Sequence, residues 1–201
     1  MTDLSNDIAI VSGLPRSGTS MLMQMIAAAG IPPLTDNQRT QDEDNPRGYY
    51  ELEAVKALRS PNADRTWLSN APGRVVKVIH LLLEALPTNH HYRIVFIHRD
   101  LDEVLASQAK MLERSGKTGA ALQPDRLKTV YQSQLDKTLA AIAARPEMSL
   151  LEVHHTDLLT NPDTPARQIA DFLQPLRPDH PLDTAAMTAA IDPTLHRNKR
   201  T

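Results

Sequence analysis

Two periodicities divide this chain. Short apolar runs, rich in β-branched residues and lacking polar alternation, recur at Ile8-Ala9-Ile10-Val11, Val75 to Ile79, Arg93-Ile94-Val95-Phe96-Ile97-His98 and Leu150 to His154. Such runs predict strands buried on both faces, the first over roughly Asp7 to Ser12. Helical periods lie between them, at about Ser17 to Ala29, Leu101 to Arg114, Pro124 to Ala144, Pro165 to Leu173 and Asp183 to Ala190. Tyr50 to Ser60 is a further candidate helix. Gly30 with Pro32-Pro33 behind it stops the first helix. Asp100 or Asp102 can cap the helix after the Arg93 strand, Gly116 and Gly119 mark its end, and Pro124 suits a first helical turn. Strands alternating with helices predict an α/β fold of three layers, a central parallel sheet covered by helices on both sides.

Thr35 to Gly48 breaks this rhythm. It is polar, carries Asp42-Glu43-Asp44 and has no apolar period, so it reads as a long surface loop and a lid. Composition narrows the picture. The 201 residues suit one domain, expected over the whole of 1–201. With 3% aromatic residues the core must be aliphatic. A net charge of −2 without a basic stripe argues against nucleic acid as partner. The absence of cysteine rules out disulfides and Cys-ligated metal. Met1 to Asp7 is polar and unlike a signal peptide, and no run approaches a membrane span, so a cytoplasmic protein is expected.

The chemistry begins at Gly13-Leu14-Pro15-Arg16-Ser17-Gly18-Thr19-Ser20, between the first strand and the first helix. A glycine loop leading into a helix points backbone N–H groups and the positive end of the helix dipole at an anion. The spacing Gly13-x4-Gly18 is that of a P-loop, so the fold expected is P-loop nucleotide-hydrolase-like. The next residue is Thr19, where a nucleotide triphosphatase carries lysine. The cation lies inside the loop as Arg16. Phosphate binding is implied, and ordinary ATP or GTP chemistry is disfavoured. Arg16, His80, Arg99 and His155 all fall just past strand ends, where ligands bind in parallel α/β sheets, so one cleft is expected to hold them.

Three segments in order resemble the sulfotransferase family, whose donor is 3′-phosphoadenosine 5′-phosphosulfate. The glycine loop is similar to the family's 5′-phosphosulfate loop. Ile94 to Ser107, with Arg99 at a strand end and Ser107 eight residues on, resembles its 3′-phosphate site. His155-Thr156-Asp157-Leu158-Leu159, leading to Ile169-Ala170-Asp171-Phe172-Leu173, resembles its strand, aromatic-x-Asp-Leu and helix. The resemblance implies sulfuryl transfer to a small molecule or carbohydrate, release of adenosine 3′,5′-bisphosphate, and no metal. It implies donor contacts from Pro15, Arg16, Ser17, Gly18, Thr19, Ser20, Arg99, Ser107, His155 and Arg197, with Arg16 also stabilising the leaving phosphate. His155 departs from the tyrosine that relatives place there for adenine. Arg197 belongs to a basic tail, 192–201, that also carries Lys199 and Arg200.

An acceptor must lose a proton, so a general base is expected. Glu51, at the end of Asn45-Pro46-Arg47-Gly48-Tyr49-Tyr50-Glu51, matches the basic glutamate of carbohydrate- and tyrosine-modifying relatives. His80, in Lys77-Val78-Ile79-His80-Leu81, resembles the Lys-x-His-Leu of small-molecule relatives with one residue inserted. Lys77 is a candidate for the donor's bridging oxygen or a plain strand lysine. Residues 35–69 and the segment around Leu112 to Gln123 are expected to face the acceptor. Two other readings remain, a small-molecule kinase with a degenerate P-loop and a non-catalytic nucleotide-binding module. Ser115-Gly116-Lys117-Thr118 lacks the earlier glycine of a Walker loop. His90-His91 and His154-His155 lack metal-ligand spacing. Met21, Met23 and Met25 read as core filler.

Overall fold

The computed structural model describes residues 7–42, 45, 47–114, 116 and 123–192. Four parallel strands form one sheet: β1 (Asp7–Gly13), β2 (Val75–Lys77), β3 (His91–His98) and β4 (Met148–His154), in the order β2-β1-β3-β4. Ala9 pairs with Val75 on one side and Arg93 on the other. Helices α1 (Thr19–Ala28), α2 (Glu53–Lys56), α3 (Leu101–Arg114) and α4 (Pro124–Ala143) lie in the crossovers, and α5 (His155–Thr160), α6 (Asp163–Leu173) and α7 (Thr184–Ala189) follow the last strand.

Every residue of β1 is buried, which is why its sequence shows no polar alternation. Successive side chains still point to opposite faces. Ala9, Val11, Val75, Val95 and Ile97 join Leu22, Ile26, Ile169 and Met187 in one core. Ile8, Ile10, Val76, Ile94 and Phe96 join Trp67, Leu83, Val104 and Ile142 in the other. These two cores separate three layers, α1, α6 and α7 on one face and α4 on the other, in the P-loop-like α/β/α arrangement expected. Met23 and Met25 are buried fillers, whereas Met21 is only partly buried against the first core.

The punctuation acts as the residues dictate. Gly30, at φ 109, ends α1 in a Schellman motif, its N–H donating to Ala27 O and that of Ile31 to Ile26 O. Asp100 is the cap of α3, its Oδ1 accepting from the N–H groups of Asp102 and Glu103 at 2.9 and 3.2 Å. Two expectations are corrected. The candidate helix over Tyr50 to Ser60 shrinks to Glu53–Lys56, because Tyr50 adopts φ 54 and turns succeed Lys56. The strand over Val75 to Ile79 stops at Lys77, and Ile79 leads into a 3-10 turn over His80–Ala85. The described residues of 35–51 form neither helix nor strand, in keeping with the loop expected there, and side-chain hydrogen bonds hold them as a strap. Gly119 and the Leu112 to Gln123 segment fall largely outside the described residues, as do Arg197, Lys199 and Arg200.

Candidate functional site

At the carboxyl end of β1 the chain must turn sharply under β3. Gly13 adopts φ 152, and a Cβ there would sit 2.6 Å from Ile97 O. Gly18, at φ 105, leaves no room either, since its Cβ would meet His155 Cδ2 at 2.8 Å. Both glycines are therefore required by space as well as by backbone. Arg16 stands between them at φ 73, a conformation that costs a non-glycine residue roughly 1–2 kcal/mol. The loop delivers α1 with no side-chain cap and no acid in its first turn. Its first N–H groups and dipole are left for something other than a cap.

This end of the sheet opens into a cavity of about 350 Å³. Of the residues singled out above, Pro15, Arg16, Gly18, Thr19, Ser20, Glu51, Arg99, Ser107 and His155 line it. Arg16 Nε donates to Ser107 Oγ at 3.0 Å, joining the glycine loop to the buried face of α3. Arg99 Nη1 donates to Arg16 O at 3.1 Å, while its Nε pairs with Glu103 at 2.8 Å. Arg99 is thus held by an acid one turn into α3, and it still faces the cavity. His155 opens α5 and is buried against Gly18.

Two expected residues are not brought to the cavity. Ser17 is buried behind the loop, its N–H donating to Leu14 O at 3.1 Å and its Oγ lacking a hydrogen-bond partner. His80 is buried beneath the site, with Nε2 3.2 Å from Gln134 Oε1 on α4. Its buried Nδ1 has no hydrogen-bond partner among the described residues. Burial pushes the His80 pKa down, against the smaller opposing effects of Gln134 and Gly13. The single cleft expected for Arg16, His80, Arg99 and His155 therefore holds three of the four, because the turn after β2 points His80 inward.

The strap supplies the opposite wall. Glu51 Oε1 accepts from Arg39 Nη1 at 2.8 Å, and its Oε2 lies 3.3 Å from Lys56 Nζ. The Arg39 guanidinium lies 3.3 Å above the centre of the Tyr49 ring. Tyr49 OH donates to Asp42 at 2.7–2.8 Å, and burial and that carboxylate push its pKa up to about 12. Lys77 lines the cavity, donating to Ser20 Oγ at 3.1 Å and Tyr49 O at 3.0 Å. Burial lowers its pKa to about 8, with Arg39 and Arg16 pushing the same way and Glu51 opposing. Sequence reasoning weighed Lys77 but missed Asn45 and Arg39. Among the described residues no group of three or more histidines and carboxylates is arranged to hold a metal, and no helix is long and apolar enough to cross a membrane.

Fold and site together define an α/β domain with a tight glycine loop and an uncapped helix terminus at the carboxyl edge of a parallel sheet. The sulfotransferase family model matches residues 53–176, more than half of the chain, and the chain belongs to that family. The match begins beyond the glycine loop, which its own geometry must explain. Solved structures agree on the fold. A sulfotransferase from Alicyclobacillus acidocaldarius is 15% identical with a TM-score of 0.51, over 94% of this chain and 87% of that one. A sulfotransferase domain from the curacin biosynthetic pathway is 15% identical at 0.50, over 94% and 89%. Retinol dehydratase, solved with androsterone and the inactive cofactor PAP, is 18% identical at 0.50, over 92% of this chain and 63% of that one. No curated protein sequence matches the chain.

Proposed function

We propose that this chain transfers a sulfuryl group from 3′-phosphoadenosine 5′-phosphosulfate to a hydroxyl or amine of a small molecule or carbohydrate, releasing adenosine 3′,5′-bisphosphate. The observation that carries the reading is the Arg16–Ser107 contact. It links the glycine loop before the uncapped α1 terminus to α3, the helix that follows Arg99, and so supports a reading with two anion-binding groups on one cavity. A donor with a phosphosulfate and a separate ribose phosphate needs two such groups. The chemistry present fits it: guanidinium groups suited to phosphate oxygens, serine hydroxyls, an ammonium and free helical N–H groups.

Roles follow from position. Gly18, Thr19 and Ser20 offer backbone N–H groups and hydroxyls to the 5′-phosphosulfate, and Pro15 shapes the loop. Arg99 and Ser107 receive the 3′-phosphate. Arg16 meets the charge that grows on the bridging oxygen as the S–O bond to phosphate breaks. Lys77 lies beside it. Glu51 takes the acceptor's proton as the new bond to sulfur forms. His155 supports Gly18 and turns its ring to the nucleotide. Arg197 joins the 3′-phosphate from the tail. Ser17 and His80 act from behind the loop as packing groups. No metal enters these steps, because the migrating group carries a single negative charge and cationic side chains surround its path.

Titration calorimetry of the wild type with adenosine 3′,5′-bisphosphate and, separately, ATP–Mg²⁺ tests the reading. Tighter binding of the bisphosphate is expected. A preference for ATP–Mg²⁺ would replace it with the kinase reading. Bisphosphate binding without turnover of any acceptor would favour the non-catalytic module.

A further inference from the structure

Ser20 lies in the first turn of α1, and two groups converge on its oxygen. Asn45 Nδ2 donates to Ser20 Oγ at 2.7 Å, and Lys77 Nζ donates to the same atom at 3.1 Å. A serine hydroxyl has two acceptor sites and one proton. With both acceptor sites filled by donors, the proton has to be given to a third group. Ser20 lines the cavity, so a ligand held there is within reach of that proton.

Asn45 does not reach Ser20 by accident of a loose loop. Its backbone N–H donates to Asp42 Oδ1 at 3.0 Å and to Asp42 O at 3.1 Å, closing a tight turn. The Asp42 carboxylate is in turn gripped by Tyr49 OH, whose ring lies under Arg39, whose guanidinium binds Glu51. A continuous series of polar contacts runs from Glu51 to Ser20 through one strap. Lys77 closes it a second time by holding Tyr49 O and Ser20 Oγ together.

We propose that Asn45 is a positioning residue for donor binding: with Lys77 it fixes the Ser20 hydroxyl as an obligatory donor to the anion held at the α1 terminus. The inference rests on the donor reading above and adds to it a residue of the strap. The amide is matched to this task. A carboxylate of the same shape would accept the Ser20 proton and turn it away from the ligand.

The test is calorimetric titration with adenosine 3′,5′-bisphosphate at neutral pH on the wild type, Ser20→Ala, Asn45→Ala, Asn45→Asp and the Ser20→Ala/Asn45→Asp double variant. A hydrogen bond to a charged ligand sets the scale. Ser20→Ala is expected to weaken binding about 10- to 100-fold. Asn45→Asp should lose about as much. Asn45→Ala should lose only a few-fold, because Lys77 still orients the hydroxyl. The double variant should bind no worse than Ser20→Ala alone, since Asn45 acts through that hydroxyl. Thermal melts confirm that each variant is folded.

Two results would overturn the proposal. Unchanged binding in Asn45→Asp would mean that the amide does not orient Ser20. Losses that multiply in the double variant would mean that the new carboxylate repels the ligand directly. A wild type that fails to bind the bisphosphate would instead remove the donor reading, and the role of Asn45 with it.

Discussion

The two walls of the cavity are built on different principles. The wall formed by the glycine loop, β3 and α3 is fixed chiefly by close-packed backbone, with Arg16–Ser107 and Arg99–Glu103 joining its parts. Gly13 and Gly18 are squeezed against Ile97 and His155, and the loop hands an uncapped helix to the cavity. The wall formed by residues 35–51 is made of side chains. Its described residues contain no helix or strand, and Arg39, Asp42, Asn45, Arg47 and Tyr49 hold it by hydrogen bonds, ion pairs and a stacked ring. A backbone-built wall tolerates few substitutions but fails as a unit. A side-chain wall can lose single contacts and keep its path. In the function proposed, the donor belongs to the first wall and the acceptor chemistry to the second, which puts the constant half of the reaction on the less adjustable half of the site.

The sharpest break between the walls is catalytic. Glu51→Gln should lower transfer by roughly 10²- to 10⁴-fold in a turnover assay, the range for removing a general base. Bisphosphate affinity should stay within a few-fold of wild type. Loss of both in parallel would merge the walls into one functional unit.

Next comes the backbone itself. Gly13→Ala places a Cβ 2.6 Å from Ile97 O at a left-handed φ. Strain and overpacking together are expected to cost about 2–5 kcal/mol, read as a lower urea midpoint. A neutral result would mean that the loop can shift, and the distinction between the walls would weaken.

Lys77 bridges the two walls, and its burial has a pH signature. Its pKa falls from an ordinary 10.5 to about 8 in the folded protein. Between those values the unfolded chain holds the proton and the folded chain releases it, so stability rises with pH across that window. The size is up to roughly 3 kcal/mol. The elevated pKa values of Tyr49 and Tyr92 act in the opposite sense once pH passes the ordinary tyrosine value, so the rise should be sought below 10.0. Chemical denaturation at successive pH values should show the slope, and Lys77→Met should remove it.

The smallest effect is expected on the strap's surface. Arg47 bonds Ala190 O at 2.7 Å and Asp192 at 3.1 Å, but its side chain is 43% exposed. Arg47→Ala should change stability by no more than about 1 kcal/mol. A larger loss would show that the side-chain wall is more cooperative than its separate contacts suggest.

The same contrast explains what the sequence disclosed. Gly13 and Gly18, the fully buried β1 run and Asp100 before α3 are local signals, and each predicted its element. The three-layer fold followed from them. Arg99 and Ser107 were legible as strand-end and helical positions, but the Arg16–Ser107 bond spans 91 residues and leaves no local trace. Asn45 sits in a polar stretch whose composition reads only as loop. Its role depends on Ser20, Asp42 and Tyr49 meeting in space. His80 shows the converse failure. Its place after a strand suggested a cleft residue, yet one 3-10 turn rotated it into the core against Gln134.

The central claim is that one cavity holds two anion-binding groups that act on different phosphates. Calorimetry of wild type and Arg99→Ala with adenosine 3′,5′-bisphosphate and with 5′-AMP tests it most directly. The account predicts a loss of about 10- to 100-fold for the bisphosphate, the worth of a charge-assisted hydrogen bond, and little change for 5′-AMP. Equal losses for both ligands, or none for either, would contradict it.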